Sequence, residues 1–367
     1  MPLTDSEQQW LRVRRYLREH RYELAVAAAR GYLGSATVEG TPLLTAPAWQ
    51  AAEPVPLQGI DLRYVPRADF QGLTGTEDLT EDLRPVRADG SRYGSYSQAV
   101  SELDPPGIFH NRLTYRLLDA DLARQRMVFS TGRYFDSLDV GEACAHEYAA
   151  AAAGETTAQP LRSAVGQPTD LQRRPVNVAV STLTLRHDRG SGQTTFLLHR
   201  RDVAAVGHAG GLYQVVPVGI FQPAGDEPWN TGNDFSLWRC IIRELAEELL
   251  GQPETRTTEH PIDYQAWPFA ARLAAGLSAG QLRTYCHGIG VDPLTLATDI
   301  LTVAVFDAPL YDELFGQLVS ANPEGAVLAA LPFRHDLIDH YTHRGPTQAA
   351  GAALLRLAWR HRQHLLR

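Results

Sequence analysis

Residues 234–250 constrain this chain more than any other segment, because apolar and acidic side chains there recur on opposite faces of one helix. Trp238, Ile241, Ile242, Leu245 and Leu249 fall at helical spacing and predict a core-facing stripe, and Gly251 is placed to close the helix. Within it runs Arg243-Glu244-Leu245-Ala246-Glu247-Glu248. Residues three and four apart share a helix face, so Glu244 lies beside both Glu247 and Glu248. Like charges packed this way cost a few tenths of a kcal/mol per pair. A hard divalent cation, Mg²⁺ or Mn²⁺, reverses the sign of that term, since both take oxygen ligands and bind phosphates as well. Arg243 stands four residues before Glu247 and can brace it. The competing reading of such a run is a solvated acidic face.

The flanking sequence decides between these readings. Val176 to Arg186 alternates like a strand, Asp188 to Gln193 carries turn residues, and Thr194 to Arg201 returns, which predicts a hairpin. Tyr213 to Phe221 reads as a third strand bent at Pro217 and Gly219, where the backbone comes close to something. Further strands are expected over 282–290 and 300–306, and helices over 312–319 and 351–366.

A hairpin ending in an Arg pair, a Gly/Pro-bent strand, a loop and then this helix resembles the layout of the Nudix hydrolases. That family's motif is Gly, five residues, Glu, seven residues, then Arg-Glu-apolar-any-Glu-Glu-any-Gly-apolar. Arg243, Glu244, Leu245, Glu247 and Glu248 match it. Phe235, with Asp234 adjacent, stands where the motif has its first Glu. Leu250 stands where it has Gly, with Gly251 one place late. The spacing from Gly219 to Arg243 exceeds the motif by about ten residues, and Asp226 to Asn233 reads as an insertion.

The resemblance implies an α/β (α+β) fold with a mixed sheet sandwiched by helices. It covers roughly residues 172–330 of a domain spanning 172–367. It implies metal ligation by Glu244, Glu247 and Glu248, oriented by Arg243, and Mg²⁺-dependent hydrolysis of a diphosphate linkage in a nucleotide or phosphorylated metabolite. The alternative is a catalytically weak or inactive ligand-binding or regulatory protein on the same fold; a biosynthetic enzyme acting on another phosphorylated metabolite is a third reading. Glu324, in the turn Asn322 to Gly325, is a candidate catalytic base, and Asp292 and Asp299 flank another loop. Arg200 and Arg201 are candidate diphosphate clamps, and Tyr213 is a candidate stacking residue. His335, Asp336, His340 and His343 read as surface.

The N-terminal part, 1–165, is expected to be a separate α+β unit, with a degenerate copy of the Nudix-like fold as one reading. A helix is expected over 5–33, strands over 59–66, 111–118 and 126–130, and a helix over 138–153. The stretch 154–174, rich in Gly, Pro, Thr and Gln, reads as a linker.

At 367 residues two domains are expected. The chain has no Lys, so any anion site must use Arg forks. A net charge of −8 argues against a general nucleic-acid surface. Cys144, Cys240 and Cys286, an odd set without a CxxC pair, argue against disulfides and structural zinc. A polar N-terminus and the absence of a spanning apolar run predict a cytoplasmic protein without membrane contact. Its expected partner is a small diphosphate or phosphorylated substrate, and a homodimer is compatible with the sequence.

Overall fold

In the computed structural model, the described residues are 2–32, 35–66, 69–201, 211–254, 259–316, 321–322 and 325–367. They form a mixed α/β fold in which a large sheet carries helices on both faces. The N-terminal region contributes β1 (Ala36–Thr37), β2 (Leu44–Thr45) and β3 (Gln50–Pro56) to that sheet. It also builds a second sheet from β4 (Asp61–Tyr64), β5 (Leu113–Asp121) and β6 (Arg126–Arg133), in the order β4-β6-β5. The large sheet continues with β7 (Val178–His187), β8 (Thr194–Arg201), β9 (Tyr213–Val215), β10 (Val218–Ile220), β11 (Leu282–Val291), β12 (Thr298–Asp307), β13 (Ala321–Asn322) and β14 (Gly325–Pro332). Its path is β1-β2-β11-β12-β7-β8-β14-β13, with β3 on β11, β9 on β8 and β10 on β7. Within this sheet the β7–β12 pair is parallel.

The expected hairpin is β7–β8. Its turn is held by the Asp188 carboxylate, which accepts the Gly190 N–H at 2.8 Å, and by Gly192 at φ +73°. The expected bent strand is split: β9 pairs with β8, the Val216–Pro217 peptide is cis, and β10 resumes on β7. Pro217 has no N–H to give a ladder, so the chain changes partners there.

Alternation along the strands sorts the core into two layers. Val178, Val180, Ile300, Ala304 and Phe306 face the core layer that includes helix Leu237–Leu250 on one side. Leu183, Leu185, Leu301, Val303 and Val305 meet the alanine-rich helix Ala349–Arg360 on the other.

Several expectations need correction. The N-terminal helix is two, Asp5–Glu19 and Arg21–Arg30, because His20 leaves helical geometry at ψ 19°. Past that break, buried Arg21 reaches Glu142 of helix Tyr134–Ala152 at 3.0 Å, where Arg14 also pairs at 3.3 Å. The linker is partly built: Pro160–Val165 is a helix that buries Leu161 and Val165, and Glu147 accepts the backbone N–H groups of Leu161 and Arg162, each at 2.9 Å. Residues 152–158 are exposed. Helices Tyr96–Leu103, Pro268–Ser278 and His335–His343 and strand β14 were not expected, and the last of these helices leaves His335, Asp336, His340 and His343 exposed, as expected for surface residues. All three cysteines are buried and unbridged. Among the described residues no helix is long and apolar enough to cross a membrane.

Candidate functional site

Helix Leu237–Leu250 is delimited as its sequence dictates. The Ser236 hydroxyl accepts the Arg239 N–H at 3.4 Å, and Gly251 takes the left-handed conformation at φ 64°. Ile241, Ile242, Leu245 and Leu249 are buried, and Trp238 is partly buried beside them. The helix starts at Leu237, so Asp234 and Phe235 stand before it.

One ridge of the helix is laced to β10. The Cys240 thiol donates to the Ile220 carbonyl at 3.6 Å. A Cβ on Gly219 would lie 2.0 Å from the Glu244 carboxylate carbon, so only glycine admits that side chain. Glu248 Oε1 accepts the Val218 N–H at 2.7 Å. Cys240, Glu244 and Glu248 are successive positions of one i, i+4 row, set against Ile220, Gly219 and Val218 in turn. The close backbone approach expected at the bent strand is therefore the approach of Glu244 to Gly219.

The three acids are not equivalent. Glu248 is 5% exposed, and His199 Nδ1 of β8 lies 3.6 Å from its Oε2. Glu244 and Glu247 are half-buried. His199 itself is fully buried, and nothing in its sequence setting, between Leu198 and Arg200, marked it.

Arg243 is 5% exposed and faces away from solvent into a polar knot. Its guanidinium donates to the Tyr264 hydroxyl at 2.7 Å and the Gln222 carbonyl at 2.6 Å, and lies 3.4 Å from Asp234 Oδ1. The Tyr264 hydroxyl donates to the same Asp234 oxygen at 2.8 Å, and Asp234 Oδ2 accepts the Ala224 N–H at 2.8 Å. Burial alone would pull the Arg243 guanidinium down, but Tyr264, Cys240 and Asp234 together push it above its ordinary value. A carboxylate thus pairs with Arg243 from one residue before Phe235. Phe235 joins an aromatic cluster with Tyr64, Tyr115, Phe129 and Phe221, at centroid distances of 5.6, 5.0, 5.8 and 5.8 Å.

The other candidates lie elsewhere. Arg200 is exposed, and its cross-strand partner Tyr213 packs at 5.1 Å on Tyr341 within the core layer of helix Ala349–Arg360. Both sit on the face of the sheet opposite His199 and Glu248. The side chain of Arg201, and Glu324 altogether, lie outside the described residues. Asp292 is tied into its own turn, accepting the N–H groups of Leu294 at 3.0 Å and Thr295 at 2.8 Å. Asp299 accepts the Ser181 hydroxyl at 2.7 Å inside the sheet. The stretch expected as an insertion forms helix Pro228–Asn233 and ties to the N-terminal sheet. Asp226 accepts the Leu113 N–H at 3.1 Å and pairs with Arg133, and the Tyr115 hydroxyl donates to the Thr231 carbonyl at 2.8 Å.

The donor chemistry of Glu244, Glu247 and Glu248 fits a hard divalent cation, being all carboxylate oxygen. Among the described residues, however, no three His, Cys, Asp or Glu side chains converge as a metal-holding group. Two carboxylates suffice for a cation that keeps several waters and completes its shell with substrate phosphates.

No family model matches the chain, and no curated protein matches it. Among solved structures, the chain is similar to a Nudix hydrolase from M. smegmatis, RenU. The identity is 17% and the TM-score 0.26, over 51% of this chain and 84% of that one. A TM-score this low carries no functional weight, which falls instead on the helix and β10.

Proposed function

We propose that this chain is a Mg²⁺-dependent hydrolase of the Nudix type, cleaving a diphosphate linkage in a nucleotide or phosphorylated metabolite. The observation that carries the reading is the carboxylate row of helix Leu237–Leu250 laid against Gly219, which is cleared of any side chain for Glu244. A divalent cation bound there supplies charge neutralisation for the diphosphate and lowers the pKa of a bound water. The chain's own residues do the positioning. Glu244, Glu247 and Glu248 are the carboxylates that would hold the cation, and the Asp234–Arg243–Tyr264 knot holds the helix against Gln222. We also propose that residues 1–165 and 172–367 are two units that share the large sheet, the first lending β1, β2 and β3 to the second. Limited proteolysis tests that division: first cuts are expected in the exposed stretch 152–158, and first cuts within 176–220 would refute the boundary.

One observation favours a second reading. The position of the motif's first Glu is given over to Phe235 in the aromatic core, which suits a protein that binds a diphosphate without turning it over. Phosphate release from a panel of nucleotide sugars, dinucleotides and prenyl diphosphates, with and without Mg²⁺, separates the two. A Glu244→Gln, Glu247→Gln double variant should slow release by roughly 10²-fold or more, as each 1.4 kcal/mol of lost transition-state stabilisation is tenfold. Mg²⁺-dependent binding with no release would establish the second reading, and full activity in the double variant would end the first.

A further inference from the structure

The three-stranded sheet β4-β6-β5 begins with a strand whose outer edge meets no other strand among the described residues. β4 runs parallel to β6. The Asp61 N–H donates to the Gln125 carbonyl and the Val65 N–H to the Phe129 carbonyl, each at 2.7 Å. A strand bonds to its two sides through alternate residues, so the backbone N–H and C=O groups of Leu62 and Tyr64 point to the open edge. Such an edge is ready to pair with another strand. Side chains alternate as well. Leu62 packs partly buried on the core, and Tyr64 lies 5.6 Å from Phe235. Asp61 and Arg63 stand on the outer face, their side chains 52% and 61% exposed, with Arg63 Nε 2.7 Å from Asp61 Oδ2. An exposed pair of this kind contributes little within one chain, so both charges stay available to a neighbour.

Edge charges of a single sign would repel every incoming copy of the chain. Opposite charges two residues apart select a register instead. Two copies related by a twofold axis run antiparallel at such a joint, with Leu62 and Tyr64 supplying the bonding groups. Pairing Leu62 with Ile60 of the second copy sets Asp61 against Asp61, and pairing Leu62 with Tyr64 sets Arg63 against Arg63. Like charges directly opposite are destabilising. Pairing Tyr64 with Tyr64 brings Leu62 opposite Pro66, which has no N–H to return. Pairing Leu62 with Leu62 sets each Asp61 against Arg63 of the other copy, and in that register opposite charges meet.

We propose that β4 is the joint of a homodimer, in which Leu62 faces Leu62 of a second copy, Asp61 and Arg63 pair across the twofold axis, and two small sheets become one. The proposal stands apart from the hydrolase reading above. A joint this short buries little area, so the dimer is weak and forms with rising concentration.

The test is sedimentation velocity on the full chain, over a series from about 1 µM to about 500 µM. The sedimentation coefficient of the unchanged chain should rise along the series toward that of a dimer. Asp61→Arg and Arg63→Asp each set like charges across the joint, and each should weaken self-association by about tenfold or more. Both side chains are exposed, so the melting temperatures should stay with that of the unchanged chain. Mixed in equal amounts, the two variants should associate with each other as the unchanged chain does with itself, because each then carries the sign the other lacks. A monomer throughout the series would overturn the proposal and leave the edge to a strand of another protein. Self-association of either single variant at the strength of the unchanged chain, or a mixture that stays monomeric, would overturn it as well.

Discussion

The two faces of the large sheet are built from the same strands and differ in what their covering helix asks of them. On the face of helix Ala349–Arg360, small residues let the helix lie close: Ala350, Ala353 and Ala358 are fully buried over Leu183, Leu185, Leu301 and Val303. On the face of helix Leu237–Leu250 the apolar contact shares space with polar fittings, including the Thr182–Thr302 hydroxyl pair at 2.8 Å and the His199–Glu248 contact. Apolar packing dominates the first face, where the Ser181–Asp299 hydrogen bond at 2.7 Å is a buried polar contact at its edge. On the second, packing and a set of directed polar contacts must both be satisfied, and that is where candidate chemistry collects. A strand has period two, so neighbours in sequence serve different faces: His199 belongs to the polar face, while Arg200 and Tyr213 belong to the other.

The largest effect that separates the faces is a pH response. His287, 3% exposed beside His361 and His364 at the end of the alanine-rich helix, has its pKa lowered to about 3, chiefly by burial. Native His287 stays neutral while the unfolded chain takes up a proton below its ordinary pKa of roughly 6.5. Stability from this group is therefore complete above that value and falls as pH drops toward 3, by about 1.4 kcal/mol per pH unit and at most about 5 kcal/mol. Replacing His287 with Gln should flatten that limb of a chemical-denaturation series run from pH 7 to pH 4. An unchanged slope would place the acid sensitivity elsewhere.

Next in size is Gly219→Ala. Its Cβ would collide with the Glu244 carboxylate, so either that side chain or the strand must move, at a cost of about 1–3 kcal/mol. On the proposed hydrolase reading, diphosphate cleavage should fall about tenfold or more while the melting temperature falls only modestly. A variant that loses stability and keeps its activity would show that Glu244 need not sit where it does. The smallest effect belongs to Arg200→Ala and Tyr213→Phe. Both lie across the sheet from Glu248, and each should change turnover by less than about threefold. A large loss in either would mean that substrate reaches both faces, and would break the comparison.

These contrasts show which features were legible in the sequence. Helix Leu237–Leu250, its Gly251 stop, the β7–β8 hairpin and the bend at Pro217 were readable because each is written in local chemistry: periodicity, a turn, or a residue without an N–H. Strand β14 was not, since Ala-Val-Leu-Ala-Ala carries no alternation, and β3 was not, because Pro54 and Pro56 argue for a loop unless an edge is available. At the site, the acidic row was visible, but its contacts were not. The links from Glu248 to Val218 and His199, and from Asp234 to Arg243, exist only after separate segments meet in space. The Arg200–Arg201 pair was conspicuous because like residues were adjacent, and Arg200 falls on the face away from Glu248 because its strand neighbour His199 faces that helix.

The pairing of β3 with β11 has a bearing on how the chain is made. Gln50 and Val55 find their partners, Gly288 and Cys286, across most of the polypeptide. During synthesis from the N-terminus, the early strands would leave the ribosome long before the strand that receives them. A pairing so distant in sequence closes a long loop, and such non-local contacts slow folding. The prolines of β3 remove two of the N–H groups that an unpaired edge would otherwise present to a neighbouring chain. They serve as a safeguard for the interval before the sheet is complete.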